Sequence, residues 1–381
     1  MVFVSCIAGI SNGFSKINRV WLTHKTNDPS RLVINWYSEN PGNARVRYQF
    51  GNEQEQQITI NDNSKLHHME IPFDRTDGFY HYQVSTGSDT SARYRVQAYP
   101  SARHTLRIAF VGNPGFADVS KLRDVVQHDQ PHLLVTLGDN VPDLYQACGE
   151  ENPTCFQAYL KFIDAAPEVF ATVVLMPILG NHDKQYRDRG TRYPKLPVYD
   201  VDASAYRTFF ELPDDEWKWH FKLPDFNLCL VALDLNHVGD YGTTWQTSHD
   251  FAADSEQLRW YRKVMSDHRS MDIITLYNER SEVTRRLSDG LWGSSIEQGF
   301  AAISGFGYYS EYAEKNGFPF FNTSMKMGDQ YPDKLSKFLS GTAGYLALTA
   351  ENGQKTMALK SFDGTVLYTW DRTSISKAET H

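Results

Sequence analysis

The chain has 381 residues, enough for two domains, and apolar residues make up 41% of it, an ordinary globular composition. Its net charge is −8 and its sequence pI about 5.9, so its surface repels phosphate backbones and a nucleic-acid partner is disfavoured. It has no heptad stretch, no long basic run and no apolar run long enough to span a bilayer.

Residues 1–15 differ in character from the rest of the chain. Met1 to Ile10 is apolar and contains Phe3-Val4-Ser5-Cys6, loosely like a lipoprotein cleavage box. No Lys or Arg precedes Lys16, whereas a complete signal peptide opens on a basic segment. The stretch reads either as an export-related segment or as a disordered start.

Residues 16–102 read as an all-β domain. Short alternating runs at Arg31–Trp36, Ala44–Phe50, Glu55–Ile60, Leu66–Ile71, Phe79–Val84 and Ala92–Ala98 are separated by Gly, Asn, Asp and Pro. Alternation between turn signals at this spacing marks a β-sandwich. Trp36 is the expected core aromatic, with Tyr82 on a facing strand.

Residues 103–381 change grammar. Apolar strands at Leu106–Val111, Leu133–Leu137 and Val173–Leu179 alternate with helical patterns ending near His128 and spanning Phe156–Phe170. This alternation predicts an α/β sheet with its chemistry in the loops at the carboxyl ends of strands. Later strands are expected at Ile273–Asn278 and Ala301–Ser304. Tyr345–Thr349, Lys355–Phe362 and Thr365–Asp371 then form an antiparallel closing sheet with a turn at Asp363-Gly364. Cys148 and Cys155 are close enough in one loop to pair, Cys229 reads as a buried thiol, and the spacing fits no zinc knuckle. Asn322-Thr323-Ser324 matches a glycosylation sequon.

Three strand-end loops carry polar clusters: Gly112-Asn113-Pro114-Gly115, Gly138-Asp139-Asn140 and Gly180-Asn181-His182-Asp183. One Gly-Asp or Gly-Asn pair is an ordinary turn, but three in this order, each after a strand, can assemble a divalent-metal site. The order resembles the calcineurin-like metallophosphoesterases, and most of all the purple acid phosphatases. Their pattern is Gly-Asp-x-Gly, Gly-Asp-x-x-Tyr, Gly-Asn-His-Asp/Glu, a later strand-end His, then Gly-His-x-His. The resemblance spans nearly the whole chain. It implies a four-layer α/β/β/α sandwich behind a fibronectin-III-like domain, a two-metal hydrolase, and His182 as general acid.

The departures are as informative as the matches. Asn113 stands for the first Asp, Pro142 for the Tyr, Tyr277 for the strand-end His, and Phe306 and Tyr308 for the paired histidines. Asp139 and Asn181 survive as ligands, so the expectation is one divalent ion (zinc, iron or manganese) or none, with His237 as a possible recruit. Tyr277-Asn278-Glu279-Arg280 ends a strand and is expected in the same cleft, with Arg280 as an anion clamp and Glu279 as its partner. Trp217, Trp219 and Trp245 add rings after the third motif.

The leading functional expectation is a phosphoesterase-family hydrolase acting on a phosphoester or related anionic substrate. Here His182, Asp183, Tyr277 and Arg280 would be catalytic, and Asn113, Asn278, Glu279, Tyr308, His237 and Trp245 would bind substrate. The alternatives are a metal-independent enzyme such as a lyase on an anionic polysaccharide, with Tyr277, Tyr308 or His182 as base or acid and Asn113, Asn181 or Arg280 neutralising the uronate carboxylate, and a glycan-binding protein on a decayed enzyme scaffold. A secreted, periplasmic or surface-anchored location follows from the resemblance, the cysteine pair and the N-terminus.

Overall fold

The N-terminal strands pair antiparallel. In the computed structural model, which describes residues 17–191, 194–240, 248–287 and 292–372, strand Arg19–Thr23 pairs with Arg31–Phe50, which also pairs with Gln56–Pro72 and Phe79–Thr86. The short strands expected at Arg31–Trp36 and Ala44–Phe50 are one continuous strand, and so are those at Glu55–Ile60 and Leu66–Ile71. Pro41-Gly42 does not turn the chain. Instead the register shifts between Tyr37 and Ala44, and a bulge absorbs the extra residues. A side chain at Gly42 would meet the Gly87 backbone nitrogen at 2.9 Å, so this close crossing requires glycine. Trp36 and Tyr82 are both buried. Trp36 Nε1 donates to Thr86 Oγ1 at 2.8 Å and the Tyr82 hydroxyl to the Ala171 carbonyl at 2.7 Å, so each ring is buried with its polar end satisfied.

Beyond Gln97 the pattern becomes strand–helix. Leu106–Val111, Leu133–Leu137 and Val174–Ile178 are parallel neighbours, and their near-continuous burial is that of strands covered on both faces. The expected helix Phe156–Phe170 is two helices, Gln157–Ala165 and Pro167–Phe170, because Ala166 takes φ −148°, as the residue before a proline must leave the helical region. These strands join the N-terminal ones, and the closing strands Gly344–Glu351, Gln354–Ser361 and Val366–Asp371, in one 12-stranded sheet. Gly364, at φ 86°, makes the expected turn.

A second sheet of 7 strands holds Leu228–Leu233, Asp272–Tyr277, Ala301–Ser304 and Phe318–Asn322 in parallel. Its side chains divide by parity. Leu230, Ala232, Ile274, Leu276 and Ile303 join Phe110 and Leu134 of the first sheet in the larger core. Val231, Leu233, Ile273 and Tyr277 pack on Leu258 and Tyr261 of helix Glu256–Asp267. The two sheets therefore face each other and bring their strand ends together.

Cys148 and Cys155 form a disulfide, and Cys229 is a buried free thiol. Asn322 is fully buried and donates to the Tyr309 carbonyl at 2.8 Å, so the sequon is closed to glycosylation in the folded chain. Among the described residues no helix is long and apolar enough to cross a membrane. The expectation for residues 1–15 and that for Trp245 lie outside the described residues.

Candidate active site

Each polar loop begins where a buried strand stops, and glycine sets how closely the loops meet. A side chain at Gly112 would lie 2.1 Å from the Thr323 carbonyl, and one at Gly180 would lie 2.0 Å from the Asp139 nitrogen. Asn113, Asp139 and His237 all take positive φ, 53°, 52° and 55°, which turns the chain sharply at three strand ends. Together with Asn181, His182 and Tyr308 they line a cavity of about 170 Å³ that is completed by Arg189, Phe306, Asp329 and Tyr331.

Asp139 is buried and accepts the His182 backbone N–H at 3.2 Å. Burial pushes its carboxyl up to about 6, against that hydrogen bond and the charges of His237 and Arg189. Asn181 is 1% exposed, yet neither its Nδ2 nor its Oδ1 makes a well-formed hydrogen bond, and its contact with the Tyr199 hydroxyl is loose. Asn113 is committed instead, as its Nδ2 donates to the Gly307 carbonyl at 2.7 Å.

His182 Nδ1 lies 2.6 Å from the Pro142 carbonyl. A carbonyl only accepts, so Nδ1 carries the proton and Nε2 keeps its lone pair. Arg189 Nη2 faces that Nε2 at 3.4 Å, and Phe116 packs edge-on at 4.7 Å. Burial, then the Arg189 charge, pushes the imidazole down to about 3. As it stands, His182 is a neutral acceptor rather than the protonated acid that the resemblance implies.

Asp183 lies beneath the cavity, fully buried. It accepts from Gly180 N at 2.8 Å, Asn140 N at 3.1 Å and Asn140 Nδ2 at 3.0 Å, so it braces the second loop against the third. Burial, then the Asp139 charge, pushes it up to about 8, opposed by those donors. Its neighbour Lys184 forms a fully buried ion pair with Asp234 at 2.8 Å, and Asn236, also bound to Asp234, donates to the Leu179 carbonyl at 3.2 Å. Three strand-end loops, those after Leu137, Leu179 and Leu233, are thus tied together below the cavity.

Several expected residues are elsewhere. Tyr277 is on the opposite face of its sheet, fully buried with Tyr261 and Trp292, because Leu276 takes the inner position and side chains alternate. Arg280 is held beside Glu279 and Glu282 at 3.6 and 3.8 Å, outside the cavity, with Tyr331 between. Asn278 donates to the Leu137 carbonyl at 2.7 Å and Glu279 accepts Gly239 N at 3.2 Å, so both are loop braces. Trp219 is core, donating to the Pro177 carbonyl at 3.0 Å, and Trp217 stacks on His249 at 3.5 Å. Motif reading missed Arg189, Asp329 and Tyr331. A cation six residues past the third motif was the available signal for the first of these.

The donor set does not fit two metal ions. Among the described residues no three His, Cys, Asp or Glu side chains converge as ligands. Asp139 and Asn181 do fit one ion, with its other ligands drawn from water or substrate.

No protein-family model matches the chain, and no curated protein matches it. Among solved structures, PhoD aligns over 94% of this chain and 90% of its own, with TM-score 0.62 and 11% identity. GAP50, the anchor in the inner membrane complex of Plasmodium, covers 70% of this chain and 88% of its own at TM-score 0.46 and 14% identity. The NAD nucleotidase NadN of Haemophilus influenzae covers 73% and 55% at TM-score 0.37 and 12% identity. The likeness to PhoD is one of fold, a mixed α/β arrangement that in this chain is richer in strand than in helix.

Proposed function

We propose that the chain is a phosphoesterase-type hydrolase acting on a phosphoester or related anionic substrate in the cavity at Asp139, Asn181 and His182, with at most one divalent ion. One observation carries this reading. Asn181 makes no well-formed hydrogen bond at either end of its buried amide, its contact with the Tyr199 hydroxyl being loose, and it lies beside the Asp139 carboxyl. An unsatisfied buried amide is costly, and a ligand at this position would satisfy it. The four-layer ordering, a fibronectin-III-like domain over 16–102, and a secreted, periplasmic or surface location belong to the same proposal. The fold's likeness to PhoD and the disulfide are compatible with it.

A bound ion, held by Asp139 and Asn181, would polarise a phosphoryl oxygen. The chain's own groups do the rest. His182 Nε2, its lone pair fixed by the Nδ1–H donation to Pro142, accepts a hydrogen bond that orients the attacking water; as the water oxygen bonds to phosphorus the P–O bond to the leaving group breaks, and the water's proton ends on the departing oxygen. Phe306, Tyr308 and Tyr331 form apolar walls that seat the ester group and exclude bulk water.

The test is hydrolysis of an aryl phosphate and a bis-aryl phosphodiester after incubation with zinc, iron or manganese, with bound metal measured per chain. Turnover with no more than one equivalent of metal, lost in Asp139→Ala, is expected. No turnover of either ester with any of the three metals refutes the reading. The lyase alternative has lost Tyr277 and Arg280 from the cavity and keeps Tyr308, His182, Asn113 and Asn181 there. Glycan binding without turnover would favour the non-catalytic alternative, for which the ring-lined wall is the supporting feature.

A further inference from the structure

The loop after the third motif leaves and re-enters the fold at one place. Gln185 bridges to Tyr199, Tyr186 N donates to the Val198 carbonyl at 3.1 Å, and Asp200 N to the Lys184 carbonyl at 2.9 Å. From this closed base the loop carries Arg189 into the cavity wall, while Arg187 pairs with Glu151. The Arg189 guanidinium reaches His182 Nε2 at 3.4 Å, and its charge also bears on Asp139 and Tyr308. Two further donors adjoin it. The Tyr199 hydroxyl, on a residue 7% exposed, makes no well-formed hydrogen bond and touches Asn181 and Arg189 only loosely. The Asn181 amide is the other, likewise without a well-formed hydrogen bond.

We propose that Arg189, Asn181 and Tyr199 form the subsite that holds the phosphoryl group of the substrate. The inference rests on the hydrolase reading for the identity of the group, but its geometry stands on the donors alone. A guanidinium is always protonated and presents parallel N–H groups that match two oxygens of a tetrahedral oxyanion. The buried amide N–H and phenol O–H supply the remaining bonds and are themselves satisfied by them. In a cavity with too few ligands for two metal ions, Arg189 supplies fixed positive charge in their place. Arg280, the clamp expected from sequence, is held by Glu279 and Glu282 away from this niche.

Inorganic phosphate is the probe, titrated calorimetrically into the full chain after chelator treatment, so that binding does not depend on metal. Arg189→Gln should weaken it about 10- to 100-fold, the range for losing a charged hydrogen-bonding partner. Arg189→Lys should recover part of the loss and Tyr199→Phe should lose less. Circular dichroism checks that each variant is folded, and Tyr199→Phe decides the case if Arg189→Gln does not fold. Sulfate competing as well as phosphate would show that tetrahedral charge, not the phosphoryl group, is what the subsite selects, and would overturn the phosphoryl assignment. Wild-type affinity in folded Arg189→Gln and Tyr199→Phe, or no phosphate binding by the folded wild type, overturns the subsite. If the wild type hydrolyses esters but Arg189→Gln keeps its KM, the subsite fails and the hydrolase reading stands. If phosphate binds through Arg189 without any turnover, the subsite stands and the hydrolase reading fails.

Discussion

Replacing Lys184 with Met tests whether a buried ion pair holds the strand-end loops in place. Lys184 Nζ lies 2.8 Å from Asp234 Oδ2, with both side chains at 0% exposure. Asp234 also accepts His249 Nδ1 at 2.7 Å, His249 N at 3.0 Å and Asn236 Nδ2 at 2.5 Å. Deleting one partner of a buried pair costs about 3–5 kcal/mol. Methionine fills the volume of the lysine stem, and the carboxylate keeps its other donors, so Lys184→Met should lie at the low end, about 3 kcal/mol. Asp234→Asn turns an amide toward a buried ammonium and should lie higher, at about 5 kcal/mol. The double variant leaves no charge stranded and should cost at least about 1 kcal/mol less than the sum, as contacting residues do.

The same pair fixes the sign of the pH dependence. Burial alone would raise the Asp234 carboxyl, but Lys184 and His249 outweigh it and hold the group well below the usual range. Its stabilisation is therefore complete above the unfolded value of about 4 and is lost as the pH falls from there toward the folded value. The gap between wild type and Lys184→Met should be full at pH 7 and narrow below about pH 4. Urea unfolding followed by tryptophan fluorescence, at unchanged m, measures it. A loss under about 1 kcal/mol at pH 7, or strictly additive single variants, would refute the reasoning.

Three further outcomes are expected. In metal-free protein Asp139→Asn should stabilise by about 2–3 kcal/mol at pH 8, because the folded carboxyl at about 6 is penalised when ionised relative to an unfolded value near 4. The gain should vanish by about pH 4, where Asp139 is protonated in the folded wild type, and a gain that persists there would contradict the assignment. Gly180→Ala should lower both stability and any ester turnover, since its methyl would lie 2.0 Å from Asp139 N and 2.3 Å from Oδ1; wild-type turnover would show that the loops have slack. Replacing Cys148 and Cys155 with serine should cost about 2–3 kcal/mol by freeing a short loop in the unfolded chain, read as a drop in urea midpoint.

Strand positions were legible where a run was wholly apolar. Leu106–Val111, Leu133–Leu137 and Ala301–Ser304 lie where the sequence places them. The strand-end loops were legible for the same reason, and the side chains of Asn113, Asp139, Asn181, His182, His237 and Tyr308 meet at one cavity, although their roles remain the proposal. A run such as Ile273–Tyr277, apolar apart from Thr275, has no readable phase, so sequence could not say that Leu276 faces inward and Tyr277 outward. Arg189 was hidden for a different reason. It is placed by the closure of its loop at Gln185 and Tyr199, a long-range contact with no local pattern. In the N-terminal region the residues between Trp36 and Ala44 read as a break between two strands, but the runs on either side both pair with Gln56–Pro72, which keeps the strand continuous.

The positive φ shared by Asn113, Asp139 and His237 separates the shape of this cleft from its chemistry. Asn and Asp are the side chains that best tolerate that conformation after glycine, so either one at position 113 satisfies the same backbone. The amide keeps the turn that an acid would also allow and adds a bond that a carboxylate cannot make, from Nδ2 to the Gly307 carbonyl, so a charge is absent while the cavity keeps its outline. Such a scaffold is rewritable one side chain at a time. Its contours persist through exchanges that alter which ions and which substrates it can hold.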